Sequence, residues 1–173
     1  TEFIIGMLLI LFALASFFAT LITLWLIRDM QKWNGYLLVL SSLTVAQLVL
    51  DMQFFLVPFY YNSVAKLLTT CFNIFSTACV AMWINYISIL LYRIVADLRS
   101  YSINEVYHIV LGTILVIAAS LAIGATILQN VNEQGYDIFN YIFLSLKLVS
   151  IVFNLAVHVK ISYRLQEMGF MGK

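Results

Sequence analysis

From Phe3 to Ile27 the chain carries no charged side chain at all. A helix of about 20 apolar residues crosses the hydrocarbon core of a bilayer. Four further runs of that kind follow, over 35–60, 67–94, 106–128 and 138–159; Asp51 interrupts the second and Lys147 the last. The chain is 64% hydrophobic and 10% charged, against roughly 45–50% and about 25% in soluble domains. So few charges cannot cover a water-facing surface. Lipid is therefore the expected solvent, with each backbone amide satisfied inside its own helix. The expected fold is all-α: a polytopic membrane helix bundle of five transmembrane helices forming one domain over 1–173.

Short polar connectors, Arg28–Asn34, Tyr61–Lys66, Ala96–Glu105 and Gln129–Asp137, separate the runs. They make sequential helices antiparallel neighbours. The first run lacks a basic flank and a small-residue cleavage site, so it reads as a span rather than a signal peptide. Arg28 and Lys32 flank the first connector, Arg93 and Arg99 the third, and Lys160, Arg164 and Lys173 follow the last run. Of the other two bases, Lys66 stands at the second connector and Lys147 inside a run. The bias predicts an outer N-terminus and an inner C-terminus.

Small residues let helices approach closely in lipid. Ala15 with Ala19, and Ser120 with Gly124, have the spacing for it, with Gly112 on the same helix as the second pair. Cys71 and Cys79 lie about 12 Å apart on one helix, too far to bridge each other, and read as packing residues. The single proline, Pro58, falls near the outer end of the second run, where a kink or stop costs little.

Ionisable groups at membrane depth are the sharpest functional signal in such a chain. By helical rise Asp51 and Lys147 both sit roughly 25 Å from the inner face. They either pair or line one water-filled pocket. Gln47 lies one turn from Asp51 and shares its face. Asn73, Asn85, Asn140 and Asn154 add amides suited to interhelical hydrogen bonds. The only histidines, His108 and His158, fall toward the inner side; a haem held by both is the functional reading, lone interfacial histidines the plainer one. No HExxH, GxSxG, P-loop or GxGxxG pattern occurs. An enzyme, a metal site and a cofactor are therefore not expected. The net charge of +1 argues against a nucleic-acid partner.

The run Ser42-Leu43-Thr44-Val45-Ala46-Gln47-Leu48 resembles the second helix of G-protein-coupled receptors. Ser76, Trp83, Ile87, Leu91, Tyr92 and Ile94 resemble the third helix of the cyclic-AMP-receptor-like and secretin-like branches. Cys71 stands near the outer end of that helix, where the family carries a cysteine. Gln47 replaces the family's aspartate. The family's helix-one asparagine, helix-four tryptophan, helix-five proline and second extracellular cysteine are absent. The five runs match the family's first five helices in order. The resemblance implies ligand sensing in an outer-half pocket of Gln47, Asp51, Trp83, Asn85 and Lys147. It also implies a cytosolic signalling partner at Arg93, Asp97 and Arg164, coupled to the pocket by a helix shift.

Two other readings remain open on the residues alone. One is a non-catalytic accessory subunit of a larger membrane complex, with other membrane subunits as partners. The other is a transporter or channel subunit whose Asp51 and Lys147 line an ion path. The plasma membrane is expected for a receptor, an organelle membrane for a complex subunit.

Overall fold

Five α-helices form the computed structural model, which describes residues 2–29, 35–52, 63–96 and 103–169. They are α1 (Glu2–Asp29), α2 (Gly35–Met52), α3 (Ser63–Val95), α4 (Ile103–Val131) and α5 (Glu133–Glu167). No strand occurs among the described residues. Four of the helices are long and apolar enough to cross a membrane; α2 is apolar but shorter, described as far as Met52. The remainder of the second apolar run, with Pro58, lies outside the described residues.

Long runs of Leu, Ile, Ala and Phe hold helical geometry, and the hydroxyls among them do not break it. Thr20, Ser42, Thr69 and Ser120 each donate to the carbonyl one turn back, at 2.8, 3.0, 2.8 and 2.8 Å. Serine or threonine can thus sit inside an apolar helix without water.

The polar stretch Gln129–Asp137 is not the connector its composition suggests. Asn132 alone separates α4 from α5. Its N–H continues the α4 ladder onto the Leu128 carbonyl at 2.8 Å. Its side chain accepts from the Gly135 N–H at 3.1 Å and so caps α5. One asparagine closes one helix and opens the next. At the far end of α5, Gly169 takes a positive φ of 75° and its N–H bonds the Gln166 carbonyl at 3.0 Å. That left-handed stop favours glycine.

Helix α3 is the hub, packed against α2, α4 and α5, while α1 leans on α2. The buried cluster joins Ile74, Ala78, Cys79 and Trp83 of α3 to Ile114, Ala118, Ala122 and Ala125 of α4. Three- and four-residue steps put the α4 set on one helix face, while the α3 set spreads over about half of its helix, as a hub requires. The alanines are fully buried, so α4 approaches α3 with little side chain between the backbones. Ser120 and Gly124 do not share this contact. Ser120 is exposed, and open space surrounds the place a Cβ would take at Gly124 and Gly112. At about 100° per residue they fall on the side of α4 away from the alanines. Ala15 and Ala19 are likewise exposed. Cys71 and Cys79 are both free thiols.

Two substitutions check this packing. Ala122→Leu should overpack the α3–α4 contact and cost about 1–3 kcal/mol. Gly124→Ala should be neutral or stabilise by about 0.5–1 kcal/mol. Denaturant titration of the protein in mild detergent reads both, and equal behaviour of the two variants would contradict the assigned α4 face.

Candidate functional site: three polar groups around the third helix

Asp51 is turned toward α1 and is 4% exposed. Its Oδ2 accepts hydrogen bonds from Ser16 Oγ at 2.9 Å and Thr20 Oγ1 at 3.4 Å. Its Oδ1 accepts from Gln47 Nε2 at 3.0 Å. Two i,i+4 pairs, Ser16 with Thr20 and Gln47 with Asp51, therefore face each other across the α1–α2 contact. Ser16 and Thr20 are not among the residues the sequence singles out. Their signal is a hydroxyl pair one turn apart within the uncharged stretch Phe3–Ile27.

The second group joins α3 to α5. Asn85 Oδ1 accepts from Ser150 Oγ at 2.9 Å and from Asn154 Nδ2 at 2.6 Å. Ser88 Oγ donates to Asn154 Oδ1. Asn154 Nδ2 also reaches the Ser150 carbonyl at 2.8 Å. Both ends of the Asn154 amide are thus used, which makes the group a closed network. Asn85 meets Ser150 and Ser88 meets Asn154, so the two helices run parallel.

The third group lies among α2, α3 and α4. Trp83 is 2% exposed and stacks on Tyr107 with ring centroids 6.1 Å apart. The Tyr107 hydroxyl and Ser42 Oγ share a hydrogen bond of 2.6 Å between α4 and α2. A cavity of about 280 Å³ opens beside them, walled by Ser41, Phe75 and Leu111.

A larger groove of about 420 Å³ runs between α3 and α5. Val80, Ala81 and Ile84 of α3 form one wall, and Lys147, Ile151 and Leu155 of α5 the other. Lys147 is half-buried, with Nζ 4.8 Å from the centre of the Phe143 ring. That is cation–π distance. His158 closes the opposite end of the groove, its Nδ1 2.7 Å from the Asn154 carbonyl oxygen. His108 lies on α4 with its ring edge against Tyr107 and does not line this groove.

The five expected pocket residues do not share one pocket. Gln47 and Asp51 belong to the α1–α2 group, Trp83 to the cavity beside α4, and Asn85 and Lys147 to the α3–α5 face. Asp51 and Lys147 do not pair: each points at a different neighbour, and α3 packs between α2 and α5. Arg93 is exposed near the end of α3. Arg164 is exposed on α5 and bonds Glu167 at 3.2 Å. Such a surface pair contributes about 0–1 kcal/mol. Asp97 lies outside the described residues.

Removing the Asn154 amide tests the α3–α5 network. Asn154→Leu should cost about 1–2 kcal/mol, because Ser88 loses its partner and Asn85 keeps only Ser150. Ser150→Ala should cost less. Denaturant midpoints in detergent read the difference, and an Asn154→Leu variant as stable as the native chain contradicts the network.

No known protein family, curated protein or solved structure matches this chain.

Proposed function

We propose that the chain is a non-catalytic, multi-pass membrane protein, receptor-like in its helix order, that senses a ligand between α3 and α5 and signals to a cytosolic partner. Lipid is the natural solvent for its outside. Phe12, Phe18, Trp25, Val149, Val152 and Leu155 are all exposed, and an aqueous monomer rarely shows apolar patches beyond a few hundred Å². The distribution of Lys and Arg favours an outer N-terminus and an inner C-terminus.

The observation that carries the signalling reading is the Asn85–Ser150–Asn154–Ser88 network. Lys147 lines the groove one turn from Ser150 on the same helix. A ligand there bears directly on the hydrogen bonds that tie Asn85 and Ser88 of α3 to Ser150 and Asn154 of α5. The two helices carry that movement toward Arg93 and Arg164. The coupling is a helix shift with two alternative registers of the network.

A second reading, a subunit of a larger membrane assembly, is favoured by α5 itself. Phe143 is its one buried residue among those described, which leaves a long face for a neighbouring subunit. An ion path through both Asp51 and Lys147 has less support, because those residues lie in separate groups.

Fluorophores placed near the inner ends of α3 and α5 test the coupling. Energy transfer between them should change when a stabilising ligand is added, and the change should vanish in Asn154→Leu. A ligand that stabilises the protein without moving the helix ends, and without recruiting a cytosolic protein, overturns signalling. Tight co-purification of a second membrane protein needed for stability supports the subunit reading instead. Orientation has its own check. An N-terminal tag should react with impermeant reagent on intact cells and a C-terminal tag only after permeabilisation; the reverse result refutes the topology.

A further inference from the structure

We propose that the α3–α5 groove binds a free amphiphilic carboxylate, such as a long-chain fatty acid, with its head at Lys147 and its chain running toward His158. This rests on the reading of that groove as a ligand site and names the ligand's chemistry.

The cation comes first. Arg164 has a carboxylate partner in Glu167. Lys147 has an aromatic face beside it and no carboxylate. Asp51, the one acid within the apolar runs, is occupied by Ser16, Thr20 and Gln47 on the far side of α3. An ammonium held in low-dielectric surroundings favours an anionic partner strongly. That partner must come from outside the five helices.

The walls supply the second half of the argument. Val80, Ala81, Ile84, Ile151 and Leu155 are apolar. The amides and hydroxyls bordering the groove are already engaged: Ser150 and Asn154 both bond Asn85. The groove therefore offers one charge and a long apolar trough. Lys147 and His158 are about 16 Å apart along α5. One anionic head with an unbranched apolar tail satisfies both features. A polar ligand leaves its own groups unpaired against these walls, which costs affinity.

Depth separates the two sources of an anionic head. Lys147 lies about 21 Å along α5 from its start at Glu133. A phospholipid headgroup is held at the interface by its second chain and by hydration. A free carboxylate has no such anchor. A second copy of this chain is a poor occupant, since a two-fold contact along this face brings Lys147 near its own symmetry mate.

The test uses the whole chain in phosphatidylcholine nanodiscs with a photoactivatable palmitate probe. Labelling should map to α3 around Val80–Ile84 and to α5 around Ile151–Leu155. Unlabelled palmitate should compete at least ten-fold better than hexadecanol, and phosphatidylglycerol should not compete. Lys147→Met should weaken labelling at least ten-fold while Lys147→Arg retains most of it. Ile151→Trp should block the trough and abolish labelling with either head. Equal competition by hexadecanol, effective competition by phosphatidylglycerol, or full labelling of Lys147→Met overturns the proposal. Should Lys147→Met fail to fold, the competition series on the native chain and Ile151→Trp still decide it. Specific palmitate binding without helix movement defeats only the signalling reading. Helix movement driven by an uncharged ligand defeats only this one.

Discussion

Trp83→Ala is expected to lose about 3 kcal/mol of stability, the largest single-residue effect in the bundle. Trp83 is the largest fully buried side chain and belongs to the core cluster shared by α2, α3, α4 and α5. Its ring stacks on Tyr107 and meets Tyr86 edge-on at 6.0 Å. Truncation to alanine opens a cavity in the hub, and lost packing scales with the volume left empty. Tryptophan truncations in soluble cores cost about 3–5 kcal/mol. On the membrane reading proposed above the lower end is expected, because lipid in place of water removes much of the water-transfer contribution and leaves packing as the main term. Trp83→Phe should recover more than half of the loss. Melting in detergent, followed by tyrosine environment or by circular dichroism, reads both. An alanine variant within 1 kcal/mol of the native chain, as a rough threshold, would place Trp83 outside the core.

Asp51→Ala is expected to cost about 2 kcal/mol and to act on α1 alone. Three donors converge on the Asp51 carboxyl group, two of them from α1. Hydrogen bonds to charged groups are worth about 1.5–3 kcal/mol in soluble proteins. Partners within membranes deliver less, because the separated helices find other bonds. Thr20 shows why: its hydroxyl already bonds the Ser16 carbonyl at 2.8 Å. Helix α1 packs against α2, so the loss should appear as α1 undocking while the α3–α4 core survives. A cysteine pair introduced across the α1–α2 contact should cross-link more slowly in the variant. A double-mutant cycle with Ser16→Ala should show coupling of about 0.5–1.5 kcal/mol. Strict additivity would mean that the Ser16–Asp51 bond contributes nothing. Asp51→Asn should keep part of the contact, since an amide still accepts from one donor and gives to a hydroxyl.

The polar network of the α3–α5 face shows how far residues alone could be read. Asn85 and Lys147 stood out as polar groups inside apolar runs, and Asn154 as an amide suited to bonds between helices. Nothing in their spacing said that Asn85 would meet Asn154, or that Ser88 would complete the network. The same holds for Gln129–Asp137. Its composition reads as a loop, yet Asn132 turns it into one capped junction because a side-chain carbonyl stands where the α5 backbone donors need an acceptor. The small-residue pairs misled for a related reason. Spacing identifies which residues share a face, while burial of Ala118, Ala122 and Ala125 shows which face is used.

Sequence alone determined that the chain is helical, how many helices form, and where polar groups interrupt them, because an apolar run of that length has one way to satisfy its backbone away from water. Tertiary structure decided which neighbour each polar group meets. A helix that is apolar nearly all round has almost no preferred face written in its periodicity. Facing is then set by close backbone approach at the alanines and by a few directional hydrogen bonds, and both depend on contacts between residues far apart in the chain.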